Sequence, residues 1–367
     1  MLARPTLIYA GSGLALLAAI AWFAAASPRW RIVDRQIMVA AGEVPIAVRI
    51  LVSPVETRYL DRYAAAARDA LAQYTDWFGP FPHALVTIAS AAARTARARE
   101  SIVVRPVPQP LARTAIARQV SAALARRYWR GESRDDARLL EGVALFAADR
   151  VLPRESQARA EDNRRLTRQA RLRSSRVERE APAEVEVRTA RALLTLERHL
   201  GWAALQPALL ALRSRTRAAE VTASDLIRIL EELTARDLGW ARGLFDPRQV
   251  YDHAVDDVRV ERIGESRYRS TVVLRRLGEG SVGPLTLRVR FADGQQRDDV
   301  WDARQRAGEM IYESASPLVE AILDPDAALA VETARENNHR SIDEDAGLLR
   351  RWARRLQPRL PAVSAGW

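Results

Sequence analysis

The sequence predicts an α+β protein with one N-terminal transmembrane helix, a region that combines a small sheet with helices, and a β-sandwich after it. Three observations lead to this prediction: an uncharged apolar run over residues 6–26, helical periodicity over 59–244, and short alternating strands over 258–331. A chain of 367 residues is long enough for two or three folded units. We expect an anchor or signal over 1–30, a mixed domain over 31–250, the β-sandwich over 251–340 and a basic tail over 341–367.

The N-terminal run from Thr6 to Ala26 carries no charge. About twenty apolar helical residues, each rising 1.5 Å, cross a hydrocarbon core of roughly 30 Å. Two interpretations stay open, an uncleaved anchor and a secretory signal cleaved after Ala24-Ala25-Ala26. The run is longer than the roughly 7–15 residues of a signal core, which favours the anchor. We therefore expect a single-pass membrane protein.

The elements of the mixed domain follow from alternation and helical spacing. A Gly-Pro break at residues 78–82 separates a helix from a strand, and a polar joint at 131–136 divides two helices. Residues 154–180 carry nine arginines and predict a solvated segment. In chain order we predict a strand at 46–52, a helix at 59–77, a strand at 85–88, two alanine-rich helices within 111–150 and further helices within 187–244, one of which starts at Thr222.

The pattern changes near Asp252. Turn residues such as Asp293-Gly294 and Asp324-Pro325 separate short alternating runs, and regular punctuation of this kind is typical of a β-sandwich. The predicted strands include residues 258–260, 270–274, 285–291, 310–312 and 319–323.

Composition and charge narrow the function classes. The chain has 48% hydrophobic and 28% charged residues, as folded proteins do. It has no cysteine, which excludes disulfides, thiolate metal sites and cysteine nucleophiles. The net charge is +11, but all 57 basic residues are arginine, which we interpret as a compositional bias. No nucleic-acid-binding motif accompanies the charge, so no nucleic-acid partner is expected.

Several segments resemble the membrane-associated bacterial relatives of the M1 aminopeptidases, which are gluzincin zinc peptidases. Residues 78–82 resemble the FGPYP element of that family, residues 122–129 its HELAHQYW motif and residues 140–144 its NEGFA motif. In the β-domain, Asp293-Gly294, Trp301-Asp302, residues 324–326 and Asn337-Asn338 resemble DG, WDG, DPD and NNS. The resemblance implies a gluzincin-like domain over 31–250 and a position outside the cytoplasm, in the periplasm.

The sequence departs from the zinc motif at the positions that matter for catalysis. Two histidines at i and i+4 bind the metal in HExxH, and the glutamate between them activates water. Here Ala122 and Arg126 replace the histidines, and Ala123 replaces the base. Alanine has no lone pair to donate, and arginine carries a permanent positive charge. Only Glu141 matches a ligand, so we expect zinc to be absent and these four positions to be vestigial.

Other expectations concern the remainder of the site. Arg126 is expected to pair with Glu141 in place of the metal. Glu100 matches the glutamate with which the family binds a substrate's amino terminus, so Glu100, Arg126 and Glu141 are candidate binding residues. Val187 and Arg188 stand where the transition-state tyrosine is expected.

Other chemistries find little support in the sequence. No two of the four histidines have metal-ligand spacing, and we predict that His83, His199, His253 and His339 are surface or capping residues. No G-x-S-x-G or P-loop motif occurs, and the glycine-rich segment 278–283 joins predicted β-strands, so a turn explains it.

These observations predict an inactive peptidase relative, anchored in a membrane, that binds a polypeptide or supports a membrane complex. Two alternatives stay open. The first is a working zinc aminopeptidase whose metal ligands come from other segments. The second is an arginine-rich protein that binds anionic lipid or nucleic acid through residues 154–180.

Overall fold

The computed structural model describes residues 33–39, 45–90, 101–104, 112–129, 137–152, 182–216 and 221–342. The predicted membrane segment, Glu100, the arginine-rich segment 154–180 and the tail after residue 342 lie outside these ranges. Among the helices within them, none has the length and apolarity that a bilayer crossing requires.

The described residues form α-helices and strands in the order that the sequence predicts. The α-helices are α1 (Leu60–Phe78), α2 (Ala112–Trp129), α3 (Ala137–Val151), α4 (Pro182–Leu200), α5 (Trp202–Thr216) and α6 (Ala223–Thr234). The strands are β1 (Val33–Val39), β2 (Ile46–Val52), β3 (Leu85–Ser90), β4 (Ser101–Val104), β5 (His253–Gly264), β6 (Arg267–Arg276), β7 (Leu285–Phe291), β8 (Gln296–Trp301), β9 (Ala307–Ser314), β10 (Leu318–Leu323) and β11 (His339–Ser341). Short 3-10 helices occupy Pro54–Tyr59, Gly239–Phe245 and Arg335–Asn337.

The chain divides into two compact units. The first contains the described residues up to Trp129 together with 147–152, and the second contains 137–146 and the described residues from 182 onward. The division falls within α3. The domain boundaries expected from the sequence, at 250 and 340, stay a prediction.

The first unit is built on a four-stranded sheet in the order β1-β2-β3-β4. β1 is antiparallel to β2, whereas β2, β3 and β4 are parallel to one another. Helix α1 packs on this sheet and buries Tyr63, Ala67, Leu71 and Tyr74, as residues with helical spacing on one face should. The helix ends at Gly79, whose φ of +83° is a conformation that favours glycine.

Helix α6, in the second unit, begins with the capping interaction that its sequence predicts. Asp225 accepts a hydrogen bond from the backbone N–H of Thr222 at 3.0 Å, and the Thr222 hydroxyl accepts one from the N–H of Asp225 at 3.3 Å. This reciprocal capping satisfies two donors that a helix start leaves unpaired. The predicted helix start at Thr222 is therefore present.

Two antiparallel sheets lie where the sequence predicts a β-sandwich. One has the order β5-β6-β9 and the other β11-β10-β7-β8. The Phe291 and Tyr312 rings meet edge-on with centroids 6.2 Å apart, and the N–H of Leu318 donates to the Ser270 hydroxyl, so side chains join the two sheets. All five predicted strand segments fall within observed strands.

Two strands of the predicted β-sandwich region, β8 and β11, have no counterpart in the sequence prediction. β8 carries Asp298 among its charged residues, and these obscure the alternation of a half-buried strand. The strand is held by pairing: Arg288 of β7 donates two hydrogen bonds to Asp298, at 2.9 and 2.8 Å. β11 has three residues, too few for a period to be detected.

Candidate functional site

Helix α2, which contains the zinc-motif positions, lies at one edge of the sheet in the first unit. β4 is the last strand of the sheet among the described residues, and α2 packs against β4 and α1. In an edge strand, one row of backbone N–H and C=O groups is available to an additional chain. The motif positions therefore lie on a helix beside a potential strand-pairing edge.

The motif positions on α2 differ in exposure. Ala122 is buried with 8% of its surface exposed, Ala123 is half-buried, and Arg126 is exposed in the last turn of the helix. A positive charge in that turn stabilises a helix because the C-terminal end of the helix carries partial negative charge. The three residues offer no oxygen, sulfur or unprotonated nitrogen ligand, so they do not fit a zinc ion.

Glu141 lies half-buried on α3, in the part of that helix that belongs to the second unit. The ion pair between Arg126 and Glu141 stays a prediction. Because Arg126 is exposed, such a pair would be screened by solvent and contribute at most about 1 kcal/mol.

An aromatic cluster fixes α2 in the first unit. It joins residues of the FGPYP-like segment to the end of the HELAHQYW-like segment, with the ring centroids of Phe78 and Trp129 5.1 Å apart and those of Phe81 and Tyr128 5.7 Å apart. The Tyr128 hydroxyl donates to the carbonyl of Gly79 at 2.6 Å. The two segments that carry the resemblance thus pack against each other.

A buried tyrosine fastens α2 one residue before the zinc-motif positions. The Tyr74 hydroxyl lies 3.0 Å from the backbone oxygen of Ser121 and 2.6 Å from its side-chain oxygen. Burial raises the pKa of Tyr74, more than the hydrogen bond with Ser121 lowers it. The phenol is therefore a neutral structural anchor in the ordinary pH range.

The positions expected to hold the transition-state tyrosine lie inside α4, which begins at Pro182, rather than ahead of it. Arg188 is 5% exposed. Its guanidinium donates to the carbonyls of Leu244 at 2.7 Å and Gln249 at 2.9 Å, and lies over the Tyr251 ring. Arg188 therefore ties the helix to the start of the β-region.

One of the four histidines differs from the prediction. His199 contacts the carbonyl of Thr195 and His339 contacts an exposed carboxylate, as expected of surface residues. His253, however, is fully buried and contacts Glu332 at 2.8 Å. The sequence does not predict that this first residue of β5 is buried, because its partner Glu332 lies 79 residues further along the chain. Within the described ranges, no three histidines, aspartates or glutamates come together in a group that could hold a metal ion.

The fold is similar to that of a solved aminopeptidase. No protein-family model matches the sequence, and no curated protein matches it. The similarity therefore rests on three-dimensional structure.

Among solved structures, the aminopeptidase A of Legionella pneumophila in complex with aspartic acid matches over 82% of this chain, with a TM-score of 0.58 and 14% sequence identity. This chain spans 38% of the length of that enzyme. Two structures of a variant M1 zinc metallopeptidase from Deinococcus radiodurans, one of them bound to a Tyr-Ser-Ala substrate, match over 58% of this chain at 19% identity. Their TM-score of 0.41 is too low to support an argument.

Proposed function

We propose that this chain is a non-catalytic relative of the M1 aminopeptidases that binds a polypeptide at the edge of its first sheet. The observation that carries the proposal is the side-chain chemistry of α2. The helix lies beside the sheet edge, but Ala122, Ala123 and Arg126 occupy its zinc-motif positions. A zinc ion in a catalytic site needs three protein ligands, and of the four motif positions Glu141 is the one whose side chain can supply a ligand.

The same surface has groups that suit a peptide. An extended peptide can pair with the edge of β4 through its backbone, which is how many peptide-binding domains add a strand. Arg126 supplies an exposed guanidinium at the end of α2, and guanidinium groups bind carboxylates through paired hydrogen bonds. The proposed ligand is accordingly a polypeptide with an acidic residue or a C-terminal carboxylate, and Glu100 and Glu141 are further candidate binding residues.

The proposal includes the membrane. Thr6 to Ala26 would anchor the chain, and the folded part would lie outside the cytoplasm, where it binds a polypeptide or supports a membrane-protein complex. A reporter enzyme fused after Trp367 tests this arrangement, because a periplasmic reporter is active on one side of the membrane alone.

Measurements of metal content and peptidase turnover test the proposal that the chain is not catalytic. Purified full-length chain incubated with zinc and then desalted is expected to retain far less than one equivalent and to release no amino acid from aminoacyl-anilide substrates. One equivalent of bound zinc together with turnover would support the alternative, a working aminopeptidase with other ligands, and would overturn the proposal.

A restoration experiment asks whether the α2 positions correspond to a zinc motif. The triple variant Ala122→His, Ala123→Glu, Arg126→His places two imidazoles one helical turn apart on α2, and the resemblance to the family assigns the third ligand to Glu141. We expect it to bind about one equivalent of zinc. The same variant with Glu141→Ala is the control and is expected to lose most of that affinity. Equal binding by both would show that Glu141 is not near the restored pair.

Peptide binding is measured by fluorescence polarisation with a labelled pool of short peptides that end in a carboxylate or in an amide. The wild-type chain is expected to prefer the carboxylate pool, and Arg126→Gln is expected to abolish that preference. Arg127→Gln, in the same helical turn, is the matched control and should retain it. Affinity for vesicles or DNA that falls steeply with salt, without peptide binding, would favour the arginine-rich segment instead.

A further inference from the structure

A short segment of the second unit, residues 324–333, connects β10 to the 3-10 helix Arg335–Asn337, and we call it the strap. Its first turn is closed by the N–H of Ala327, which donates to the carbonyl of Asp324 at 2.9 Å. Both residues have left-handed φ values, 54° for Asp324 and 55° for Ala327. This conformation costs Ala327 about 1 kcal/mol or more, whereas aspartate adopts it more readily. The strap is thus a strained segment that its contacts must hold in place.

The strap is fastened on one side to α4. Leu329, Ala330 and Val331 are completely buried. The N–H of Ala330 donates to the Thr195 hydroxyl at 3.0 Å, and that hydroxyl donates in turn to the carbonyl of Arg191 at 2.9 Å. One side-chain oxygen therefore holds the middle of the strap against the helix.

On the other side, the strap is fastened to β5 by a buried pair of titratable groups. His253 and Glu332 are 0% and 1% exposed, and the His253 Nδ1 lies 2.8 Å from the Glu332 Oε2. The Glu332 Oε1 accepts the backbone N–H groups of His253 and Thr333, each at 3.2 Å. The Thr333 N–H and hydroxyl also donate to the carbonyl of Tyr251, at 2.9 and 2.7 Å.

The net charge of the pair depends on how many protons its two side chains hold. Nε2 is buried without a hydrogen-bond partner among the described residues, and the Trp301 ring lies edge-on at 6.1 Å. With neutral His253 donating from Nδ1, the pair has a net charge of −1. One more proton makes the pair neutral, which a buried site favours.

The groups around Glu332 determine the direction in which its pKa is shifted. Burial raises the pKa of Glu332, hydrogen bonding with His253 lowers it, and the negative charge of Asp252 raises it further. Arg276 lies opposite His253 in the strand register, and its guanidinium donates to the Glu279 carbonyl at 2.9 Å. The charged and titratable groups around the strap include Asp252, Arg276, Arg198, His199, Asp324 and Arg335. Asp326 lies within the strap, 3.6 Å from the Arg288 guanidinium, and α4 also carries Arg188, Arg191 and Glu197.

We propose that the His253–Glu332 pair is a proton-operated latch, which holds the strap closed on α4 and β5 when the pair has taken up a proton and releases the strap when that proton is lost. A carboxyl that titrates at a higher pH in the folded chain than in the unfolded chain adds stability below its unfolded value. That stability is lost as the pH rises through the folded value, so the strap opens toward alkaline pH.

Hydrogen exchange of the full-length chain tests the latch. The probes are the amides of Ala330 and Thr333, followed from about pH 5 to about pH 8 and corrected for the intrinsic pH dependence of exchange. Loss of one proton can increase the opening constant by at most tenfold per pH unit. We expect protection to fall with pH in the wild-type chain, with a slope that approaches this limit.

The variant Glu332→Gln removes the titration and keeps the contacts, because the amide oxygen can accept both N–H groups and the amide nitrogen can donate to His253. Its protection is expected to be independent of pH. Glu320→Gln, at a half-buried carboxylate that Arg290 and His339 contact, is the matched control and should keep the wild-type slope. A flat wild-type profile, or a slope that persists in Glu332→Gln, would refute the latch. If Glu332→Gln does not fold, the NMR titration of His253 in the wild-type chain replaces it, and a midpoint different from that of the Ala330 amide would refute the latch equally.

Discussion

Gly142 on α3 is the position at which one methyl group should have the largest effect. A Cβ built at Gly142 would lie 2.2 Å from the Cβ and 2.4 Å from the Cγ2 of Thr189 on α4. It would also lie 3.1 Å from the backbone oxygen of Glu186. Thr189 is buried, with 3% of its surface exposed, so it has no open side toward which it can turn. Gly142→Ala therefore forces the two helices apart.

Two opposing effects set the change that Gly142→Ala causes in the free energy of unfolding. Ordinary carbon–carbon contacts lie at about 3.5–4.0 Å, so the helices would have to separate by roughly 1.5 Å. Overpacking of this kind costs about 1–3 kcal/mol, and the backbone oxygen of Glu186 places this site toward the upper end. In an exposed helix the same substitution would stabilise by about 1 kcal/mol through helix propensity. We expect a net loss of about 2 kcal/mol.

Urea unfolding of the full-length chain, followed by far-UV circular dichroism, measures this difference. The control is a double-mutant cycle with Thr189→Gly, which removes both short side-chain contacts. In that background Gly142→Ala is expected to be neutral or stabilising. A stabilising Gly142→Ala in the wild-type background, or an equal cost in both backgrounds, would refute the reasoning.

Two further predictions concern α6. Ala235 ends this helix with a φ of 52°, a left-handed conformation that glycine adopts without strain. Ala235→Gly should therefore raise the free energy of unfolding, measured by urea unfolding, by about 1 kcal/mol. A loss of stability would contradict this assignment. Hydrogen bonding with Thr222, and then with Arg228, lowers the pKa of Asp225, so its contribution is present above the ordinary value of 3.8 and is lost as the pH falls through the folded value. The thermal midpoint should therefore fall less in Asp225→Asn than in the wild type between about pH 5 and about pH 3, and equal falls would count against the capping role.

Local pattern was sufficient for most elements of the fold. The face of α1 follows from the spacing of Tyr63, Ala67 and Leu71, and the start of α6 follows from Thr222 and Asp225. In both cases residues that are close along the chain determine the structure. β8 was not predictable in this way, because its charged side chains obscure the alternation of a half-buried strand and are neutralised by pairing with Arg288 of the preceding strand.

The buried histidine shows the same limit at the level of a site. His253 is followed by alternating strand residues, and nothing within a few positions identifies its partner. Glu332 is 79 residues further along the chain, and β5 and the strap meet through the tertiary fold alone. A titratable side chain is predicted to be exposed by default, since burying it is costly without a partner.

Residues that carry the resemblance to M1 aminopeptidases fall into two groups in this chain. Those that pack are present: Phe78 and Trp129 meet in the aromatic cluster, and Gly142 permits the close crossing of α3 and α4. At the positions that resemble the zinc motif stand Ala122, Ala123 and Arg126, whose side chains offer no ligand to a metal. Gly142 has a packing reason that does not involve zinc, so its presence beside Glu141 is no argument for a metal there. The restoration experiment therefore tests the donor atoms at these positions separately from the packing residues, which it leaves unchanged.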